Sequence, residues 1–381
     1  MAELTNLLRP THATSMQLRS RRRLSPSLNP GRPPNPNRSQ SVGRTPAAAV
    51  RDATASKSSR PSVDVVIPMR NGRATVFAAL ASVLEQTRPP QNIFVVDDGS
   101  TDDGGSLVRA RQFPTVAVIE TPACGVSHAR NIGIAASHAD FIAFLDCDDL
   151  WAPDKLERQL EVFAGRPDVA VVSCGSISLD MRHNPIAGTA YSPSLRGHVF
   201  EGILRQGTIR GGLSSNAVIR RSALLEIGCF DETMAFGEDN DLWLRLARHY
   251  VFDYCPAPLA YIVENAASVT RRPKSPACRE EVLLQQLVCL EKWVDDQASA
   301  RWIVLFAARL ILAHAIRQRL TLQGLATLRK AIVSRAPTVG SRLARSRLRL
   351  IAAMAMAAAV YSPSHYSTWK QRRRRLLSMR R

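Results

Sequence analysis

The chain has 381 residues, and 45% of them are hydrophobic, which is enough for one large folded unit or for two units with apolar cores. A formal net charge of +19 at pH 7 would suit a nucleic-acid-binding protein, but this charge is concentrated at the two ends of the chain. The seven cysteines include no C-x-x-C pair, which argues against a disulfide framework or a zinc site, and no run reaches the ~18 apolar residues of a membrane span.

Residues 1–60 form the first segment, which is rich in Pro, Ser, Arg and Asn and holds 11 basic and 2 acidic residues. The segment has no apolar periodicity, so it is predicted to be a disordered basic tail. It also lacks the apolar core of a secretory signal. Together with the scattered cysteines, this predicts a cytoplasmic protein.

Residues 61–265 hold 17 basic and 25 acidic residues and are predicted to be the folded core. The first half alternates short β-branched runs with stretches of helical spacing. The predicted strands are 63–69, 91–100, 115–120 and 140–146, and the predicted helices are 74–87, 101–112 and 124–139. This alternation predicts an α/β fold with a mainly parallel sheet flanked by helices, in which ligands bind beyond the carboxyl ends of the strands.

The alternation continues after residue 151. The predicted elements are helices over 152–165 and 238–250, a strand over 169–179, and a strand followed by a helix within 214–232. Residues 266–381 hold 23 basic and 5 acidic residues and are predicted to be a basic helical region. Its basic helices predict either packing on the core or contact with an anionic membrane surface, and the terminal arginines could also be a solvated tail.

Two groups of carboxylates follow predicted strands at the same edge of the sheet. Asp97 and Asp98 follow the second strand, and Asp146, Asp148 and Asp149 follow the fourth. Crowded carboxylates repel each other unless a cation compensates, and Mg²⁺ is commonly held by one or two carboxylates plus substrate phosphates. The pattern therefore predicts a divalent cation, Mn²⁺ or Mg²⁺, bound to a diphosphate, although a structural acidic turn is the alternative.

Three familiar nucleotide and nucleophile motifs do not occur in the sequence. A P-loop G-x-x-x-x-G-K-[ST], a dinucleotide-binding G-x-G-x-x-G after the first strand and a nucleophile elbow G-x-S-x-G are all missing. A P-loop ATPase, a dinucleotide-binding domain and a serine hydrolase are therefore disfavoured.

Six ordered motifs resemble the family 2 glycosyltransferases. They are VDVVIPMRNG, ALASVLEQT, IFVVDDGSTDDG, GVSHARNIGI, FIAFLDCDDLWAPDKLE and FGEDNDLWLRLA. The resemblance covers about residues 62–265. It implies the GT-A fold, a Rossmann-like fold of nucleotide-diphospho-sugar transferases, and an inverting, metal-dependent transfer of a sugar from a nucleotide-diphosphate donor to an acceptor hydroxyl.

The resemblance also implies roles for residues at the ends of the first two strands. Pro68 and Arg70 are expected to line the nucleotide pocket. Asp98 matches the acid that contacts the base or the ribose of the nucleotide, with Asp97 beside it.

The next implied roles lie near the diphosphate. Arg130 and Asn131 match a segment close to the donor. Asp146 and Asp148 match the D-x-D pair, with Asp148 as the first candidate for metal contact and Asp146 toward the ribose as well as the metal.

Asp239 matches the general base of the family. A carboxylate within hydrogen-bond reach suits the removal of the acceptor hydroxyl's proton, but an acid at a helix N-terminus is also favoured by the helix dipole alone. Glu238, Asp149 and Trp151 are further candidates for contact with the acceptor or for support of the site, with buried packing as the alternative for Trp151.

The partners expected from this resemblance are a nucleotide-diphosphate sugar and a carbohydrate or lipid-linked acceptor, in cell-surface polysaccharide or glycolipid synthesis at the inner face of the membrane. No specific nucleic acid is expected. A sugar-nucleotide nucleotidyltransferase is the first alternative, although MRNGRA has a single glycine where that class expects a glycine-rich loop. A basic nucleic-acid-binding protein and an inactive scaffold are the others.

Overall fold

The computed structural model describes residues 60–206, 213–234, 236–264, 276–293, 300–318 and 322–345. The predictions for the N-terminal tail up to residue 59 and for the basic C-terminus from residue 346 lie outside the described residues. No helix in the described ranges is long and apolar enough to cross a membrane.

Eight strands are present in the described residues, and the sequence predicts six of them. They are β1 Val63–Met69, β2 Ile93–Asp98, β3 Val116–Thr121, β4 Phe141–Phe144, β5 Leu150–Trp151, β6 Val169–Leu179, β7 Val218–Arg220 and β8 Val251–Val263. They form one sheet in the order β3-β2-β1-β4-β7-β6-β8-β5. The two strands that sequence analysis does not predict, β5 and β8, pair with each other at one edge.

The sheet is mainly parallel, as the sequence predicts. β1 pairs in parallel with both β2 and β4, β2 with β3, and β6 with β8. β7 runs antiparallel between β4 and β6. The carboxyl ends of β1, β2 and β4 therefore meet at one edge of the sheet, where a ligand site is expected.

Twelve helices are described. They are α1 Val76–Leu84, α2 Gly104–Ala110, α3 Val126–Ala136, α4 Lys155–Val162, α5 Phe200–Gln206, α6 Leu213–Asn216, α7 Arg221–Glu226, α8 Glu238–His249, α9 Pro276–Glu291, α10 Ala300–Gln318, α11 Leu322–Arg335 and α12 Pro337–Arg345. The predicted strand at the start of 214–232 is wrong in its first residues, because they form the short helix α6 before β7 begins.

The central strand β1 is buried at every position, as a parallel strand covered on both faces must be. One charged side chain, Asp64, lies in this strand with no exposed surface. It accepts hydrogen bonds from the Asn92 backbone N–H (2.9 Å) and the Ser137 hydroxyl (2.6 Å). These bonds offset the cost of burying the carboxylate and join β1 to the segments that precede β2 and β4.

The helix α3 packs against β1 at a glycine. A Cβ atom at Gly133 would lie 2.3 Å from Cγ1 of Val66, a distance that real side chains do not reach. The missing side chain therefore lets α3 lie close to the sheet. Arg130 stands one turn earlier on α3, so this contact places its side chain beyond the carboxyl ends of β1 and β4.

The helices α9 to α12 share a hydrophobic cluster with the sheet. Leu287 of α9 and Ile303 of α10 have no exposed surface and belong to the same cluster as Val66 and Phe144. The ring of Trp293, just after α9, meets the ring of Phe200 in α5 edge to face at 5.4 Å. The described part of the C-terminal region is thus built onto one face of the sheet.

Candidate active site

Two loops at the carboxyl edge of the sheet are joined by side-chain caps. The Asn71 N–H after β1 donates to the Ser100 hydroxyl at 2.8 Å, and the Thr101 N–H after β2 donates to the Asn71 side-chain oxygen at 2.7 Å. The Arg73 N–H donates to Asp102 at 3.0 Å. These reciprocal bonds hold the two loops as one wall of the crevice.

Asp98 and Asp97, at the end of β2, are both buried. The Asp98 carboxylate accepts the backbone N–H groups of Cys124 (2.8 Å) and Gly125 (3.0 Å), which immediately precede α3. The exposed Arg70 guanidinium lies 3.9 Å from it. Asp97 accepts the N–H of Ser100 and so shapes the turn after β2. The structure thus uses both acids to fix loops around the predicted nucleotide pocket.

Pro68 is buried within β1, opposite Val96 of β2. Arg70 follows two residues later and has more than half of its side chain exposed at the crevice. Proline supplies rigid backbone here, whereas Arg70 supplies an exposed positive charge next to Asp98.

Arg130 is the link between the two main acidic motifs. Its side chain is 5% exposed, and its guanidinium donates to Asp146 at 2.9 Å and to Glu238 at 3.2 Å. The guanidinium also lies over the ring of Phe230, 5.3 Å from the centroid. Burial lowers the pKa of Arg130, but Asp146, Glu238 and Asp239 together raise it above its ordinary value, so it stays charged. The predicted metal motif and the predicted base motif therefore meet at one guanidinium.

Two serines of α6 support the acidic turn after β4. The Ser214 hydroxyl donates to Asp146 at 2.9 Å, and the Ser215 hydroxyl donates to Asp149 at 2.6 Å. Asp149 also accepts the Val263 backbone N–H at 3.0 Å. The buried Asp149 carboxylate therefore connects the acidic turn to α6 and to β8 through hydrogen bonds.

The three carboxylates after β4 differ in whether a positively charged side chain offsets their negative charge. Burial first and Asp146 second raise the pKa of Asp149 well above its usual range, and the same two causes raise the pKa of Asp148. Asp146 faces Arg130, whereas no described side chain is paired with the Asp148 carboxylate. Burial and the neighbouring acids also raise the pKa of the Cys147 thiol to about 12, so it stays protonated.

This pattern fits a divalent cation at Asp148, with Asp146 beside it. A partly buried carboxylate next to another acid, without a described cation, is the donor that a hard metal ion would stabilise. Within the described residues, no group of three or more His, Cys, Asp and Glu side chains is arranged to hold a metal ion by itself. Asp146 and Asp148 are thus candidate protein ligands of an ion whose other ligands would come from substrate phosphates and water.

Glu238 and Asp239 begin α8 and have different surroundings. The Glu238 side chain is 16% exposed and is paired with Arg130, while burial first and Asp239 second raise its pKa. Asp239 is half-buried, and its Oδ1 accepts the N–H of Asn240 at 2.7 Å. Of the two acids, Asp239 is the one whose carboxylate is not committed to Arg130 by a hydrogen bond.

Two other predicted residues, Asn131 and Trp151, serve the framework in this structure, and so does the neighbouring His128. Asn131 exchanges hydrogen bonds with the backbone of Phe230, at 2.9 Å and 3.0 Å. His128 contacts Glu232 at 2.9 Å. Trp151 is 3% exposed, and its indole N–H donates to the Ser215 carbonyl at 2.7 Å, which agrees with buried packing.

Sequence analysis misses Ser214, Ser215 and Phe230, each of which touches a predicted site residue. The serines lie 66 to 69 residues from the carboxyl and backbone groups that they bind. Hydroxyls are common in loops, so two adjacent serines are no signal by themselves. Only the pairing of β4 with β7, which brings α6 beside the acidic turn, reveals their role.

Residues 64–228 match the family model described as Glycosyl transferase family 2. Among curated proteins, the chain is 36% identical over 209 residues to the pre-mycofactocin glycosyltransferase of Mycobacterium tuberculosis, covering 52% of this chain and 43% of that protein. It is 31% identical over 207 residues to the succinoglycan biosynthesis protein ExoU of Rhizobium meliloti, covering 51% and 60%. The chain thus spans about half the length of the curated relatives it matches.

Solved structures with the same fold include TarS of S. aureus, residues 1–349, in complex with UDP-GlcNAc. The TM-score is 0.56 at 16% identity, covering 74% of this chain and 82% of that chain. The mannosyltransferase PcManGT of Pyrobaculum calidifontis, in complex with GDP-Man and Mn²⁺, gives a TM-score of 0.50 at 22% identity, covering 82% and 84%. These likenesses establish the GT-A fold.

Proposed function

Because residues 64–228 match the glycosyl transferase family 2 model, we propose that this chain is an inverting glycosyltransferase that uses a nucleotide-diphosphate sugar. The observation that carries the proposal is the double pairing of Arg130. One buried guanidinium binds Asp146 of the candidate metal motif and Glu238 next to the candidate base. Donor activation and proton removal would thus occur on either side of a single charged group.

The proposed donor is a nucleotide-diphosphate sugar bound at the carboxyl ends of β1, β2 and β4. The wall formed by the loops after β1 and β2 would hold the nucleoside, with Asp98 and Arg70 closest to it. Related structures hold UDP-GlcNAc in TarS and GDP-Man with Mn²⁺ in PcManGT, which supports this class of donor and a divalent cation.

In the proposed reaction, Asp239 accepts the proton of the acceptor hydroxyl as that oxygen attacks the anomeric carbon. A single displacement of this kind inverts the anomeric centre and needs one base but no protein nucleophile. The carboxylates of Glu238 and Asp146 are both engaged by hydrogen bonds from Arg130, whereas the Asp239 carboxylate has no hydrogen bond to Arg130 and is the one proposed to take the proton. A cation held by Asp148 and Asp146 would supply charge neutralisation for the departing nucleoside diphosphate.

The proposed acceptor is a carbohydrate or lipid-linked hydroxyl in cell-surface polysaccharide or glycolipid synthesis. The name of the relative ExoU, a succinoglycan biosynthesis protein, supports this class.

Contact with an anionic membrane from the cytoplasmic side is also part of the proposal. Deleting residues 366–381 should weaken sedimentation with vesicles that contain anionic lipid, and unchanged sedimentation would remove this tail from the proposal.

The deciding experiment is a panel of UDP- and GDP-sugars, each with Mn²⁺, Mg²⁺ or EDTA, with release of nucleoside diphosphate as the readout. We expect release from one or a few donors, and we expect EDTA to abolish it. A nucleotidyltransferase would instead form the nucleotide sugar from a sugar phosphate and release pyrophosphate. Inactivity with every donor, or full activity in EDTA, would contradict the proposal.

A further inference from the structure

The helix α9 lies outside the matched family region and yet contacts the segment that carries the candidate base. Gln285, Cys289 and Lys292 follow one another at intervals of four and three residues, which places them along one side of the helix and its end. All three bind groups of the segment between residues 231 and 241. This segment includes Glu238 and Asp239.

Gln285 holds the backbone just before α8. Its side-chain oxygen accepts the N–H of Phe236 at 2.9 Å, two residues before the helix begins. Gly237 follows with φ of +81°, a left-handed conformation that favours glycine. Because Gly237 sets the direction in which α8 starts, a fixed Phe236 also fixes the orientation of Asp239.

Gln285 is itself held in place on α9. Its side-chain nitrogen donates to Glu281 at 3.2 Å, and Glu281 pairs with Arg335 of α11 at 2.9 Å. A chain of contacts thus runs from α11 through α9 to the backbone that precedes the candidate base.

Lys292 holds the same segment at two further points. Its ammonium donates to Asp231 at 3.1 Å and to Asp241 at 3.0 Å. Asp241 has no exposed surface and also pairs with Arg245 at 2.7 Å, while the Cys289 thiol donates to it at 3.4 Å. The first turn of α8 is therefore tied to α9 through a buried carboxylate.

We infer that α9 completes the active site, with Gln285 and Lys292 acting as positioning residues for Asp239. The inference rests on the proposed function in assigning the base to Asp239. Neither residue needs to touch the substrate, because their effect would pass through the Phe236 backbone and the Asp241 carboxylate. A displacement of about 1 Å at a reacting group can cost about 100-fold in rate, so a loosened start of α8 should lower turnover strongly.

Matched variants of α9 separate positioning from stability. Gln285→Leu keeps the side-chain volume but removes the acceptor, whereas Gln285→Glu keeps an acceptor oxygen for Phe236. Lys292→Met loosens the same segment through different partners. The control Glu291→Ala removes bonds to the N–H groups of Thr338 and Val339 in α12, and leaves the contacts with residues 231–241 in place.

Hydrogen exchange and kinetics are measured on the full chain. We expect the amides of 236–241 to exchange at least ~10-fold faster in Gln285→Leu and in Lys292→Met, but to stay near wild type in Glu291→Ala. With a donor found active in the panel, we expect kcat to fall at least ~10-fold while the donor KM stays within about twofold. Gln285→Glu should recover part of both losses, because it keeps the acceptor oxygen for Phe236 but loses the bond to Glu281 and places a second carboxylate beside it.

Two results would overturn the inference. One is unchanged exchange at 236–241 in both Gln285→Leu and Lys292→Met. The other is a fall in kcat no larger than that of Glu291→Ala. If wild-type protein is inactive with every donor, the proposed function fails, and the exchange data by themselves decide whether α9 holds the start of α8.

Discussion

Asp146 and Asp148 stand two positions apart in the sequence, but the structure treats them differently. Asp146 faces the Arg130 guanidinium and the Ser214 hydroxyl. Asp148 has a raised pKa because of burial and of Asp146, without a compensating cation among the described side chains. Because the pKa of Asp148 is raised in the folded protein, its ionisation lowers the stability of the metal-free protein as the pH rises above 3.8, the ordinary pKa of an aspartate side chain.

We therefore expect Asp148→Ala to lower the rate of metal-dependent release of nucleoside diphosphate by ~100-fold or more, because a metal ligand is lost. The metal-free variant should unfold at the same temperature as wild type or above it, since an uncompensated charge is removed. Asp154→Asn, an exposed acid paired with Arg158, is the control and should be active. Metal-dependent turnover that survives Asp148→Ala would contradict the assigned metal role.

Asp239→Asn tests the general base. The amide keeps the shape of the side chain but cannot accept the proton, so we expect kcat to fall at least ~100-fold. Donor affinity, measured by calorimetry with Mn²⁺, should change little. Asn240→Ala on the same helical turn keeps the carboxylate and should retain turnover. A near-normal kcat in Asp239→Asn would place the base elsewhere.

Lys155 is a buried cation that the proposed reaction does not use. It has no exposed surface, and its ammonium lies 4.0 Å from the centroid of the Trp151 ring without a hydrogen-bond partner among the described residues. Burial lowers its pKa from 10.5 to about 8. Between these two pH values the unfolded chain binds the extra proton, so the Lys155 contribution to stability rises with pH across this window.

Lys155→Met should therefore be more stable than wild type at pH 7, because no buried ammonium remains. The difference in free energy of unfolding should shrink by roughly 3 kcal/mol between pH 7 and pH 10.5. Urea unfolding of both proteins at several pH values measures this difference. A constant difference over the same range would show that Lys155 is not the titrating group.

At the scale of elements, α3 shows how packing positions a charge. Its approach to β1 depends on Gly133, and Arg130 stands one turn away on the same helix. We expect Gly133→Ala to cost about 1–3 kcal/mol in free energy of unfolding, because the new methyl group overlaps Val66. It should also lower turnover, because the Arg130 pairs with Asp146 and Glu238 would shift.

Urea unfolding and the donor panel measure both effects of Gly133→Ala. Ala135→Ser, at an exposed position of the same helix, is the control and should be close to wild type. If Gly133→Ala were as stable and active as wild type, the close approach of α3 to β1 would not be required.

The predicted elements are confirmed where the apolar periodicity of a strand or helix is clear within its own stretch of sequence. β1 and β6 begin and end at the predicted residues, and α8 differs by one residue at its end. The strand β8 is not predicted, because Pro256 and Pro258 interrupt its pattern. In the structure these prolines lie where the pairing with β6 shifts register, so the strand continues around them.

At the scale of the whole molecule, the described C-terminal helices share one core with the sheet. Leu287→Ala, in α9, should lower the free energy of unfolding by about 2–5 kcal/mol, because it leaves a cavity at a fully buried position. Loss of helix by circular dichroism and loss of tryptophan packing by fluorescence should coincide in one transition.

Val333→Ala is the control for Leu287→Ala, because Val333 is 45% exposed and should contribute little. Two separate transitions, with the sheet unfolding independently of α9 and α10, would contradict a shared core.

The sequence by itself determined the mainly parallel sheet, the resemblance to a glycosyltransferase family over residues 64–228 and the edge where the acids gather. These follow from local patterns: buried β-branched runs mark strands, and acids that follow parallel strands must lie at one end of the sheet. Only the tertiary structure decided which acids have their negative charge offset by a cationic side chain. Arg130 binds Asp146 and Glu238, which are 16 and 108 residues away, and α9 reaches the base segment from about 50 residues further along the chain. Such pairings leave no period in the sequence, because they depend on how distant elements pack.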